Sequence, residues 1–282
     1  MSTPSLNSHA PPPLGPLSLV LGAWRQRGLI RRLVWREVVG RYRGSVAGLA
    51  WSMLHPLLML AVYTFVFSVV FQARWGELQV GQTRAHFALV LFVGVVMHGL
   101  LSEAVVRAPG LILGNRNLVK KVVFPLETLP WSVIGAALFH AAVSMVMLLL
   151  AIWALEGPPP LTALWLPVIF LPLVAIALGV TWALAALGVF LRDIAQITGV
   201  ISAVLLFMAP VFYPLETLPD TFRPWFYVNP LTLPIEQARA VLFAGQAPEL
   251  AALGRYSAVA ALVAASGYAL FQKTRRGFAD VL

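Results

Sequence analysis

The 282-residue sequence has no cysteine, three lysines and only 11% charged residues. The missing cysteine excludes a disulfide scaffold. A soluble globular domain carries about 25% charged and about 45–50% apolar residues. Here the charged share is halved, 60% of residues are hydrophobic and the mean hydropathy is +0.84. That combination excludes an ordinary soluble domain and a disordered chain alike. The lysines, Lys120, Lys121 and Lys273, do not follow a glycine, so the Gly-Lys-Ser/Thr of a phosphate-binding P-loop is missing. Any ATP hydrolysis coupled to this chain is therefore expected on another one. The 11 acidic residues are scattered singly. They offer neither a pair suited to magnesium and diphosphate nor a His/carboxylate cluster with metal spacing, so no catalytic residue, metal ligand or resident cofactor is expected.

What the sequence does have is long apolar runs, at 49–71, 87–106, 131–155, 164–191, 197–213 and 250–271. A helix needs about 20 apolar residues to cross ~30 Å of hydrocarbon. None of the runs alternates as barrel strands do, and lipid cannot satisfy open backbone groups. The expectation is an all-α integral membrane protein with six transmembrane helices over 49–282, the fifth of them short. Residues 1–23 read as a flexible Pro-rich head; they lack a charged n-region leading into an apolar core, so no cleavable signal is expected. With six spans, 15 of the 20 basic residues fall on the side shared by both termini. The positive-inside rule makes that side cytoplasmic. The net charge of +9 therefore reports topology rather than nucleic-acid binding.

Ahead of the first span, WRQRGLIRRLVWREVVGRYR at 24–43 predicts an amphipathic interface helix within 24–48. At 100° per residue Arg25, Arg32, Arg36 and Arg43 share one face, opposite Ile30, Val34 and Val38. Such a helix lies in the interface plane, arginines toward headgroups or a partner. Arg41 falls on the apolar side, which suggests that Gly40 ends the helix. Arg41 and Arg43 admit two readings, a generic surface anchor or charge-assisted bidentate contacts with a phosphorylated lipid at a channel mouth.

Several segments, in order, carry a family pattern: RYRGSVAGLAWSMLHPLLMLAVYTFVFSVVF at 41–71, KKVVFPLETLP at 120–130, LRDIAQI at 191–197, APVFYPLETLP at 209–219 and NPLTLPIEQARAVL at 229–242. Over 25–282 the chain resembles the membrane-spanning permease subunits of bacterial ABC polysaccharide exporters, which move O-antigen, capsule or teichoic acid; its Arg-Tyr-Arg-Gly-Ser start is nearer the O-antigen and teichoic-acid members. The resemblance implies a homodimer in the bacterial inner (plasma) membrane, joined by two copies of a separate nucleotide-binding ATPase that carries the ATP and magnesium. It implies a polysaccharide linked to a polyprenyl diphosphate as substrate. It also implies that the ATPase pushes on the amphipathic helix, with Arg32 and Arg36, and on the loop 107–130. That loop holds Asn115, Arg116, Asn117, Lys120 and Lys121.

Met59, Tyr63, Phe67 and Phe71 repeat at i, i+4 along the first span. The row is a packing face or, given the resemblance, a conduit of flat rings along which sugars slide, with Tyr63, Phe67 and Phe71 as its aromatics. Glu103 and Arg107, at i, i+4, predict a local ion pair; His98 and His140 predict neutral imidazoles bonded within the bundle, since charged side chains are costly there. Prolines at 210, 214, 219, 224, 230 and 234 break the last outer loop into pieces too short to span, which reads as re-entrant or surface-lying helices. Glu236 and Arg239 are placed to pair locally. Rival readings are an ABC permease for drugs or simple lipids, and a polyprenyl-phosphate-handling membrane enzyme.

Overall fold

Among the described residues every regular element is helical, the state in which an apolar run satisfies most of its backbone donors and acceptors within its own segment. The computed structural model describes residues 16–70, 86–120 and 124–282, with side chains from residue 21 onward except 67–69. Phe71 and Lys121, and the side chain of Phe67, lie outside the described residues. The chain runs α1 (Pro16–Arg25), α2 (Arg27–Tyr42), α3 (Trp51–Tyr63), α4 (His86–Arg107), α5 (Arg116–Lys120), α6 (Thr128–Leu155), α7 (Leu166–Phe190), α8 (Ile194–Phe207), α9 (Arg223–Val228), α10 (Thr232–Phe243), α11 (Leu250–Thr274) and α12 (Phe278–Val281). Helix already begins at Pro16, inside the stretch expected to be a flexible head; proline's fixed φ suits a first helical position.

Among the described residues five segments are long and apolar enough to cross a membrane: Gly48–Val66, His86–Arg107, Thr128–Leu155, Leu161–Phe190 and Leu250–Val281. The fifth expected span, 197–213, differs. Its helix covers Ile194–Phe207, 14 residues, or roughly 21 Å at the rise of an α-helix. Pro210 and Pro214 come next, and the backbone from Met208 to Tyr213 is turn rather than helix.

α4 is the axial element: 67% of its most apolar window is buried, against 17% for the first span. Helix association in lipid gains little from the hydrophobic effect and depends on close backbone approach. α7 and α11 show this best, with Gly179 and Gly267 packed so closely that a Cβ on either would overlap the other helix's backbone. Where α7 and α11 approach α6, Trp182 stacks edge-on with Trp131 (5.9 Å) and Tyr268 (5.2 Å). Arg275, just after α11, reaches Glu127 at the start of α6, 3.0 Å away. This end of the bundle, the basic end, also receives α1 and α2 and the carboxyl end of α4. At the opposite end His86 meets Glu156 at 2.8 Å.

The hexapeptide Pro-Leu-Glu-Thr-Leu-Pro occurs twice, at 125–130 and 214–219. Both copies fold the same way. The Thr128 and Thr217 hydroxyls donate to the carbonyls of Pro125 and Pro214, each at 2.7 Å. The next leucine amides donate to Leu126 and Leu215, each at 3.1 Å. The first copy opens α6, whereas the second ends in extended backbone at Leu218.

Candidate functional site

The site grows from the last turn of α2. The helix runs past Gly40 to Tyr42, so the break expected at Gly40 is displaced to Gly44, whose φ of +84° favours glycine. Two contacts explain the extension. Arg41 donates to Glu103 of α4, and the Tyr42 hydroxyl meets Nδ1 of His140 of α6 at 3.3 Å. Beneath them Val34 sits on Gly135 of α6, and Leu33 and Val38 are buried. The apolar side of α2 therefore packs on protein, while Arg25, Arg32, Arg36 and Arg43 are exposed.

The chain then turns back into α3, and α2, α3, α4 and α6 enclose an open cavity of about 450 Å³. Its polar wall is Arg41, Tyr42, Trp51, His55, Glu103 and His140; Met59, Phe92 and Leu100 contribute to the apolar remainder. The local pair Glu103–Arg107 is present at 2.9 Å, but it belongs to a longer chain. Arg107 also reaches Glu37 of α2, and Arg41 joins at Glu103, so two arginines and two glutamates alternate across the α2–α4 contact. Burial pushes the Tyr42 phenol above its ordinary value, with Arg41 opposing and Glu103 reinforcing. Tyr42 is accordingly a protonated phenol at neutral pH. Nε2 of His140 is buried without a hydrogen-bond partner among the described residues.

The other site residues separate. Arg43, Arg116, Asn117 and Lys120 are exposed. Asn115 is half-buried and donates to the Leu111 carbonyl at 2.8 Å, closing the turn ahead of α5. Tyr63 is half-buried at the end of α3 against the core. From Thr64 to Val70 the backbone is π-helical. This i→i+5 segment follows directly on Tyr63; the rest of the expected aromatic row, Phe71 and the side chain of Phe67, lies outside the described residues. His98 donates to the Ser202 carbonyl of α8 at 3.0 Å, and Ser102 meets the Ser202 hydroxyl at 2.6 Å, so the expected bond from His98 to a neighbouring helix is present.

At the opposite end two arginines organise the Pro-rich loop. Arg239 of α10 donates to the carbonyls of Val90, Pro210 and Val211, a role beyond the local partnership with Glu236. Arg223 pairs with Asp220 at 2.7 Å and donates to the carbonyls of Leu215, Glu216 and Leu218. Sequence reading missed the cavity roles of Tyr42, His55 and Trp51 and the pairing of Glu37 with Arg107. The partners within this site lie up to 98 residues apart, and pairs so distant leave no periodic signal.

The family model for the ABC-2 type transporter matches residues 28–243. The chain belongs to the ABC-2 type transporter family. It is thus a multi-pass membrane component of a transporter. Among curated proteins this transporter is similar to the O-antigen export system permease protein RfbA of Myxococcus xanthus, 29% identical over 94% of this chain and 99% of that one. It is also similar to the Klebsiella pneumoniae protein of the same name, 24% identical over 88% of this chain and 92% of the other. The capsule polysaccharide export inner-membrane protein CtrC of Neisseria meningitidis is 25% identical over 77% and 80%.

Proposed function

We propose that this transporter is the permease subunit of an exporter that moves a polyprenyl-diphosphate-linked polysaccharide, of the O-antigen class, across the bacterial inner membrane. The near full-length similarity to a permease named for O-antigen export carries this reading. Both termini lie in the cytoplasm, and α8 with the turn after it makes the fifth of six crossings. A separate ATPase, two copies to a permease homodimer, supplies the energy through ATP and magnesium, acting on Arg32 and Arg36 of α2 and on Asn115, Arg116, Asn117, Lys120 and Lys121. The exposed apolar faces of α3 and α8 support a second copy of the chain as partner, since Leu54, Leu58, Ile197, Val200 and Val204 are uncovered in the single subunit.

Arg41 and Arg43 meet the diphosphate where the cavity opens at the basic end, and aromatic side chains of the first span, Tyr63, Phe67 and Phe71, pass the sugars. Guanidinium forks suit phosphate because they offer parallel N–H donors and remain charged. Replacing Arg41 and Arg43 together with alanine is expected to reduce surface polymer at least about tenfold, the scale of one lost charge-assisted contact, on immunoblots of cells with normal permease levels. Arg43→Ala alone separates substrate contact from packing, because Arg43 is exposed and forms no ion pair among the described residues. Undiminished export from the double variant removes the proposed role.

A further inference from the structure

Arg41 of α2 and Arg107 of α4 donate to the same atom, Oε1 of Glu103. The Arg107 contact is 2.9 Å, and the second Nη of Arg107 continues to Glu37. Two guanidiniums converging on one anionic oxygen are arranged as they would be around a phosphate. Glu103 is the most enclosed member of the group, its side chain 13% exposed against 41% for Arg41 and 32% for Arg107. It also lines the cavity, together with Arg41. A carboxylate this enclosed is held by its arginines, and the arginines keep an anion between them.

We propose that Arg41 and Arg107 form one diphosphate-binding site and that Glu103 is its resident anion in the empty transporter, displaced when the substrate's diphosphate enters. The proposal rests on the diphosphate-linked substrate proposed above. It assigns Arg107 to the substrate, although the sequence pointed only to a local pair. It also gives the exchange a mechanical consequence. Arg41–Glu103 and Glu37–Arg107 are the ion pairs that tie α2 to α4, so moving the Glu103 carboxylate aside loosens the helix that carries Arg32 and Arg36. Arrival of substrate is thereby felt on the surface where the ATPase pushes, while Val34 on Gly135 and Tyr42 on His140 keep α2 seated on α6.

The test is ligand binding by the permease copurified with its ATPase in nanodiscs, using undecaprenyl diphosphate, undecaprenyl phosphate and inorganic pyrophosphate as probes. Glu103→Gln removes the competing charge while preserving shape. It is expected to bind undecaprenyl diphosphate about five- to tenfold more tightly than the wild type and to raise ATP hydrolysis without substrate by a similar factor, the usual span of one coupling between sites. Arg107→Gln is expected to weaken diphosphate binding by as much. A Glu103 with a purely structural role predicts the opposite sign for Glu103→Gln, weaker binding in a loosened bundle. Unchanged or weaker binding by Glu103→Gln overturns the proposal. If that variant fails to assemble by size exclusion, Glu103→Asp, too short to reach both arginines, must show the same direction of change. Wild-type protein that binds pyrophosphate but neither lipid refutes the lipid-linked substrate, yet the Glu103→Gln change toward pyrophosphate still decides the anion exchange.

Discussion

Gly267→Leu is expected to leave no folded transporter in detergent extracts and no export. A Cβ at this position would lie 2.7 Å from the carbonyl carbon of Gly179 and closer still to its oxygen. The obstacle is backbone in the middle of another helix, so no rotamer change relieves it. Overpacking a core typically costs about 1–3 kcal/mol because flexible side chains yield. Here the α7–α11 contact itself must separate, and in lipid that contact has no hydrophobic driving force to restore it. Gly267→Ala already introduces the Cβ and is expected to lower the thermal midpoint in detergent, with reduced export. Gly254 supplies the control. It lies on the same helix with nothing within 4 Å of a built Cβ, so Gly254→Ala should behave as wild type by fluorescence-detected size exclusion. A monodisperse, export-competent Gly267→Leu would show that α7 and α11 do not pack as described.

The second large effect is expected at Arg239. Its guanidinium satisfies the carbonyls of Pro210 and Val211 in the segment where α8 has ended, and it also reaches the Val90 carbonyl on α4. A buried carbonyl left without a donor costs about 1–3 kcal/mol. Arg239→Met removes the donors for the two non-helical carbonyls at once, so the expected loss is several kcal/mol, concentrated on the loop rather than the bundle. The expected readout is rapid proteolysis within 208–249 while the remaining helices stay protected, together with loss of surface polymer on immunoblots. Arg239→Lys should recover only part of the protection, because an ammonium on a flexible stem lacks the planar fork that spans several carbonyls. Intact resistance in Arg239→Met would mean that the prolines alone fix the loop.

Much of the fold is legible without coordinates because lipid leaves few choices. Runs of the observed length must be helical, and the helices at 86–107, 128–155, 166–190 and 250–274 begin and end within a few residues of the apolar stretches. Glu103–Arg107 and the exposed side of α2 with Arg32 and Arg36 were equally readable, since both arise from helical geometry over a single segment. Tyr42–His140, Arg41–Glu103 and Arg107–Glu37 were not, because each joins helices whose facing residues depend on how the bundle packs. The spacing of the aromatic row was read on an α-helical period, and the backbone changes to π from Thr64, a local change that no periodicity announces.

The repeated Pro-Leu-Glu-Thr-Leu-Pro divides the two kinds of information most clearly. Sequence alone set the turn, because a threonine hydroxyl three residues after proline bonds the same carbonyl wherever the hexapeptide stands. The path of the chain beyond the turn was decided by tertiary structure. At 128 the chain enters the bundle, Glu127 is held by Arg275, and a 28-residue helix forms. At 218 the carbonyls are taken up by Arg223 and the chain stays extended. The low charge and the long apolar runs likewise determined by themselves that this is a multi-pass helical protein. Which of its few charges face one another was left to packing, because contacts between helices carry no period that a linear sequence can display.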